Sequence, residues 1–221
     1  MNILLLGATG RTGNKVIEHA KKRGHAIAAV ARNPEDLNDF QLNIIPGTPY
    51  DNETIAQAIT GCDAVINTLN VSRKSDNPWS SLTAPKDLIS KAGSNAVQAM
   101  KKEGIKRFIT LSTIGAGSSW DSLPGFMKLL VKFSNLKYAF TDHSRQEEML
   151  AESDADFTVC RAPMLSDEMF DTEAVVTFPD EKPAGMYLGR DSAAEFFIRI
   201  LEQREYLREF IHLSNKKRTK Q

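Results

Sequence analysis

The chain has 221 residues, 28 basic and 28 acidic side chains and 41% hydrophobic content, which suits one well-buried globular domain over residues 1–221 and leaves no room for a large second one. A balanced charge gives no overall field to draw the chain to nucleic acid or an anionic membrane, so neither is expected as a partner. Cys62 and Cys160 fit no metal or redox spacing and His19, His25, His143 and His212 form no ligand pair, so no metal centre is expected and the thiols read as buried and free.

In chain order, the start has no basic segment, and its apolar run is too short for a signal peptide or a membrane span. The expected location is the cytoplasm. Residues 3–6 read as a buried strand. Residues 14–23 follow as a helix with Val16, Ile17 and Ala20 on one face, stopped by Gly24. Residues 26–31 form a second strand, and Asn33-Pro34 starts a helical turn. Further strands are expected at 42–45, 64–68, 107–111 and 157–161, and helices at 53–59, 86–102, 125–133 and 144–153. The last stretch breaks the rhythm, with short strands at 175–178 and 186–188, a helix at 192–201 and a strand at 209–213. The basic run from Lys216 to Lys220 reads as a solvated tail.

Strands that alternate with helices cannot pair as hairpins; they need right-handed crossovers and a parallel sheet covered on both faces. The expected fold is therefore α/β, a doubly wound parallel Rossmann sheet of order 3-2-1-4-5-6 with a further C-terminal strand. Residues 162–208 are expected to form a small substrate-side region.

The first strand closes on Gly7-Ala8-Thr9-Gly10-Arg11-Thr12-Gly13. A pyrophosphate needs close backbone approach and the free N–H groups of a helix N-terminus. Gly7 permits the sharp exit, Gly10 leaves room for phosphate, and Gly13 lets the helix pack on the sheet. Thr9, Arg11 and Thr12 add side-chain donors. The strand before the turn and the amphipathic helix after it are the context that makes the pattern a dinucleotide site.

With its G-x-x-G-x-x-G spacing, and with Gly61-Cys62-Asp63-Ala64-Val65-Ile66, Ile105-Lys106-Arg107-Phe108, Leu111-Ser112-Thr113, Asp142-His143 and Arg161-Ala162-Pro163 in order, the chain resembles the atypical short-chain dehydrogenases/reductases. Within them it is similar to the small NAD(P)-binding proteins of the biliverdin reductase B, NADH-flavin reductase and NmrA-like type. The resemblance implies that Thr68, Leu69 and Asn70 line the ribose and nicotinamide side. It also implies that Arg161-Ala162-Pro163 closes over the nicotinamide carboxamide, and that Thr48 stands near the adenine in place of a family aspartate.

An NAD site carries an acid at the end of the second strand, about 20 residues past the glycines. Here that place holds Arg32, whose planar fork suits a 2′-phosphate. NADP(H) is the expected cofactor, with NAD(H) as the alternative. No Tyr-x-x-x-Lys relay is present, since Asp142 stands four residues after Tyr138. Hydride transfer to a flavin, quinone or bilin needs stacking and orientation more than a dedicated acid.

Ser112 is expected as a hydrogen-bond donor near the nicotinamide or the acceptor, or else it and Thr113 satisfy local backbone. His143 is a candidate proton donor; the competing and favoured reading makes Asp142 the N-cap of its own helix. Arg73, Trp79, Trp120 and Phe126 are candidate substrate walls, with core packing of the aromatics the alternative. The resulting expectation is an NADPH-dependent reductase of a planar acceptor, with flavin a substrate rather than a bound cofactor. Two alternatives are a non-catalytic NADP(H)-sensing regulator of the NmrA-like kind and, more weakly, a sugar-nucleotide epimerase. The sequence carries no signal for oligomeric state.

Overall fold

The first strand, β1 (Asn2–Leu6), carries Ile3-Leu4-Leu5-Leu6, all fully buried. A strand with no polar face needs cover on both sides. In the computed structural model, which describes residues 1–40, 42–170 and 173–216, it has that cover. Ile3 and Leu5 pack into one core with Val16, Ile17 and Ala20 of α1 (Arg11–Lys22) and Phe197 of α6 (Arg190–Gln203). Leu4 and Leu6 pack into another with Ile55 and Ile59 of α2 (Asn52–Ile59), Ala92 and Ala96 of α3 (Leu88–Glu103), and Leu150 of α5 (Leu136–Glu152).

The other strands are β2 (Ala26–Ala31), β3 (Asn43–Pro46), β4 (Ala64–Asn67), β5 (Arg107–Thr113), β6 (Asp156–Ala162), β7 (Met164–Ser166), β8 (Val175–Thr177), β9 (Tyr187–Gly189) and β10 (Glu209–Ser214). Eight of them form one sheet in the order β3-β2-β1-β4-β5-β6-β10-β8. Its pairs from β3 to β10 are parallel, and β8 adds antiparallel at the edge. This is the expected 3-2-1-4-5-6 Rossmann order with the further C-terminal strand in place. Between β1 and β4 the winding reverses direction, and open α/β sheets bind ligands at such a switch point, outside the carboxyl ends of the strands.

Two expectations change. Met164–Ser166, to which no element was assigned, is a strand paired with β9; three residues after a proline are too short a window to show a period of two. The helix expected at 144–153 begins at Leu136, so Asp142 and His143 lie in its middle and Asp142 is not its N-cap. Asp142 instead reaches across to α3 and accepts from the backbone N–H groups of Ile89 and Ser90 and from the Ser90 hydroxyl. Asp87, the α3 N-cap residue, makes no side-chain capping bond, so the cap is supplied from a second helix.

Arg107 opens β5 at the amino end of the sheet. Its guanidinium donates to the carbonyls of Asp156, Ile200 and Glu205 and to the Thr158 hydroxyl, tying β5, β6 and the end of α6 together. Burial lowers its pKa to about 10. This arginine sits at the edge opposite the glycine turn and serves the fold.

Candidate functional site

Gly7 leaves β1 at φ +86, a left-handed conformation that glycine adopts without strain. A Cβ there would lie 2.9 Å from Thr68 Oγ1, and one at Gly13 only 2.2 Å from the Gly7 carbonyl oxygen. The turn is thus closed on itself and on the end of β4, where Thr68 donates to the Leu6 carbonyl. Helix α1 starts at Arg11 with Gly10 as N-cap and no side-chain cap. Its first N–H groups have no intrahelical acceptors and present a positive helix end at the switch point. These features fit a dinucleotide pyrophosphate. Thr9 and Gly10 are exposed at the turn, whereas Thr12 is buried beneath it.

Around the turn, Arg32 is exposed just past β2 and makes no ion pair with a described residue. Arg11, expected as a side-chain donor at the turn, is held by Asp76 at 3.3 Å and Asp167 at 2.8 Å; Asp167 also pairs with Arg190. These pairs link the loop after β4, the start of α1 and the segment after β7. Thr48 is half-buried, with its hydroxyl accepting from the Tyr50 N–H. Leu69 donates its N–H to the Asn67 side chain, and Asn70 is exposed, its side chain accepting from Val71 N–H.

Beside the turn the sheet carries a polar floor. Ser112, Arg161, His212 and Thr177 lie in register on β5, β6, β10 and β8, so their side chains share the face covered by α5. Ser112 donates to Glu147 Oε1 at 2.7 Å. Arg161 binds the same carboxylate through Nη2 at 2.6 Å and Nε at 3.2 Å, stacks on the Phe210 ring, and donates to the Ser118 hydroxyl. Arg161 and Glu147 are both nearly inaccessible. One row lower, Thr110 donates to Gln146. Nη1 of Arg161 and the Thr177 hydroxyl are buried with no partner among the described residues, and the His212 ring lies beside the Glu181 backbone.

Residues 7–204 match the model of a family described as NAD(P)H-binding. The chain belongs to that family. Similar proteins include the photosystem II assembly factor Ycf39 of Synechocystis, 24% identical over 91% of this chain; the chain spans only 59% of that protein's length. Another is an isoflavone reductase homolog, A622, of Nicotiana tabacum, 22% identical over 96% of this chain and 67% of its own. Among solved structures, the anaerobilin reductase ChuY of Escherichia coli O157:H7 superposes with a TM-score of 0.80 at 18% identity, covering the whole of both chains. A short-chain dehydrogenase/reductase of Veillonella parvula in complex with NADP gives 0.77 at 16% identity over 97% and 94% of the two chains. At these identities the structural likeness is one of fold.

Three of the residues expected at the site of this NAD(P)H-binding protein are affected. Ser112 is not a free donor, because a carboxylate only accepts and the Ser112 proton is committed to it. The side chain of Arg161 is turned into the interior onto Glu147; Ala162 is buried, its carbonyl accepting from Ile114, and Pro163 is half-buried. Thr113 donates to the Ile114 carbonyl, the local backbone role left open by the sequence. Glu147 and His212 were not visible as site residues. The available signal was a charged residue on the helix face that also carries Ala139 and Leu150.

His143 is the third. It is buried and its Nδ1 has no partner, and burial lowers its pKa to about 4, so the ring is neutral at pH 7 and carries no acidic imidazolium proton. The folded value lies below the ordinary histidine value of 6.5, so the stabilising contribution is complete above pH 6.5 and is lost as the pH falls towards 4. That loss amounts to about 3 kcal/mol at pH 4. Urea midpoints measured across this range are expected to fall less steeply in His143→Leu than in the parent; parallel curves would show that His143 titrates normally.

The candidate substrate walls are only partly assembled. The loop after β4 meets the α4–α5 junction, where α4 is Gly125–Phe133: Trp79 Nε1 donates to the Phe133 carbonyl, and Asn135 donates to the carbonyls of Trp79 and Ser80. Arg73 is half-buried in a bridge to Leu82. Trp120 borders a hollow of about 260 Å³ with Lys132, Lys137 and Phe140. Phe126 projects into solvent at 68% exposure and walls nothing in this arrangement. Among the described residues no helix is long and apolar enough to cross a membrane, and no cluster of three or more His, Cys, Asp or Glu suits a metal ion.

Proposed function

We propose that this chain is an NADPH-dependent reductase of a planar acceptor such as a flavin, quinone or bilin. The observation that carries this reading is the absence of an available proton donor among the site residues identified beside the turn. The Ser112 hydroxyl is committed to Glu147, and His143 is buried and neutral. Such a site orients two ring systems and leaves protonation of a delocalised product to solvent.

NADPH, when bound, supplies the hydride. Gly7, Gly10, Gly13 and the first N–H groups of α1 receive the pyrophosphate, and Thr68, Leu69 and Asn70 border the ribose and nicotinamide side. Ser112 keeps its lone pairs for a ligand N–H, since its own proton points to Glu147. Arg32 is the residue placed for the 2′-phosphate. The reductase names carried by ChuY and A622 agree with this chemistry.

A turnover screen of NADPH and NADH against FMN, quinones and biliverdin tests the proposal; tight cofactor binding without oxidation of NADPH by any of them defeats it. That outcome supports the second reading, a sensor that binds NADP(H) and signals to a protein, which the same shortage of proton donors favours. For Arg32→Ala, the KM for NADPH is expected to rise about ten- to hundredfold, the scale of a charge-assisted hydrogen bond, while that for NADH stays in place. An unchanged ratio assigns the phosphate to another residue.

A further inference from the structure

Apart from Lys128 and Lys132, helix α4 is built of apolar residues. Val131 is buried, whereas Phe126, Leu129 and Phe133, at i, i+3 and i+7, share one face at 68%, 59% and 68% exposure. Trp79 joins this face through its bond to the Phe133 carbonyl, and Lys128 lies over the ring of Trp120. Exposed apolar side chains grouped on one helix face mark a contact surface.

Cations ring the patch. Lys128 pairs with Asp121, but Lys86, Lys132, Lys137 and Arg145 make no ion pair with a described carboxylate. Two adjoining hollows share Lys137 and Thr141. One, of about 260 Å³, is lined by Trp120, Lys132 and Phe140, and the other, of about 290 Å³, by Lys86, Tyr138 and Arg145. The chain as a whole is neutral, so this is a local concentration of positive charge.

We propose that α4 and its flanking cations dock on an anionic phospholipid surface. Phe126, Leu129, Phe133 and the two tryptophans enter the interface, and lipid phosphates sit in the cationic hollows. Charge complementarity selects this occupant: an apolar ridge flanked by unpaired lysines matches acyl chains beneath anionic headgroups, and long lysine stems reach the headgroups while their methylenes stay on the apolar side. This contact is peripheral and is independent of which acceptor the site reduces.

The chain has two tryptophans, both in this patch, so their emission reports directly on docking. The full chain is expected to co-sediment with vesicles of mixed phosphatidylglycerol and phosphatidylcholine, with a blue shift of the emission, and not with phosphatidylcholine alone. High salt releases it. Lys132→Glu with Lys137→Glu weakens binding at least about tenfold, and Leu129→Ser with Phe133→Ser removes the blue shift while circular dichroism stays unchanged. Three results overturn the proposal. The first is no co-sedimentation at low salt, and the second is the same blue shift from inorganic phosphate without vesicles. The third is a dimer in light scattering that Leu129→Ser with Phe133→Ser splits, which assigns the face to a second copy.

Discussion

Glu147→Leu is expected to destabilise the fold by about 3–5 kcal/mol, the range for removing one partner of a buried ion pair. Arg161 is only 1% exposed and spends two of its nitrogens on this carboxylate, with a third already unpartnered. Without Glu147 its charge stays in the interior with Phe210 and neutral His212 as its neighbours. A second change, Arg161→Met, restores most of the loss, because an apolar pair of similar volume carries no desolvation cost. Urea denaturation of the two variants checks both statements; a loss below about 1 kcal/mol for the single change would mean that the pair behaves as a solvated one. The same variant releases the Ser112 hydroxyl, so any acceptor that needs a donor at that place is turned over faster per folded molecule.

Gly13→Ala is expected to weaken dinucleotide binding about a hundredfold, equivalent to roughly 3 kcal/mol of steric conflict at the turn. The added Cβ would lie 2.2 Å from the Gly7 carbonyl oxygen, a backbone atom with no rotamer to escape through. Either α1 or the exit of β1 must move, and each carries part of the phosphate cradle. Gly24→Ala is the control. Gly24, unlike the helical Gly13, has a positive φ of +76, and a Cβ there meets nothing within 4 Å. It costs about 1–2 kcal/mol of stability and leaves affinity intact. Calorimetric titration with NADPH and NADP+ compares the two; equal affinities would show that the turn does not hold the pyrophosphate.

The site was legible to different depths. The glycine turn could be read because its signals are local: an apolar run, three glycines at fixed spacing, then an amphipathic helix. Ser112 was found from its place at the end of a strand, but its role was reversed. Whether a hydroxyl donates to a ligand or to the protein depends on a partner 35 residues away on another element. Asp142 followed by polar and apolar residues has the local signature of a helix start. Its carboxylate caps a helix some 50 residues upstream instead (Ile89 and Ser90, separations of 53 and 52), and His143 beside it is thereby placed in the core.

The sequence by itself determined the sheet, its winding direction and the phosphate turn, because strand and helix periods and glycine's freedom at positive φ are properties of short windows. The tertiary structure alone decided what surrounds that turn. Register across β5, β6, β10 and β8 set Ser112, Arg161, His212 and Thr177 in one row, and α5 laid Glu147 over it. Burial then fixed their chemistry, since a charge or hydroxyl removed from water must take whatever partner the packing brings. Gly7 to Gly13 thus tells where a dinucleotide lies, and the row beneath it tells which side chains have a proton left to give.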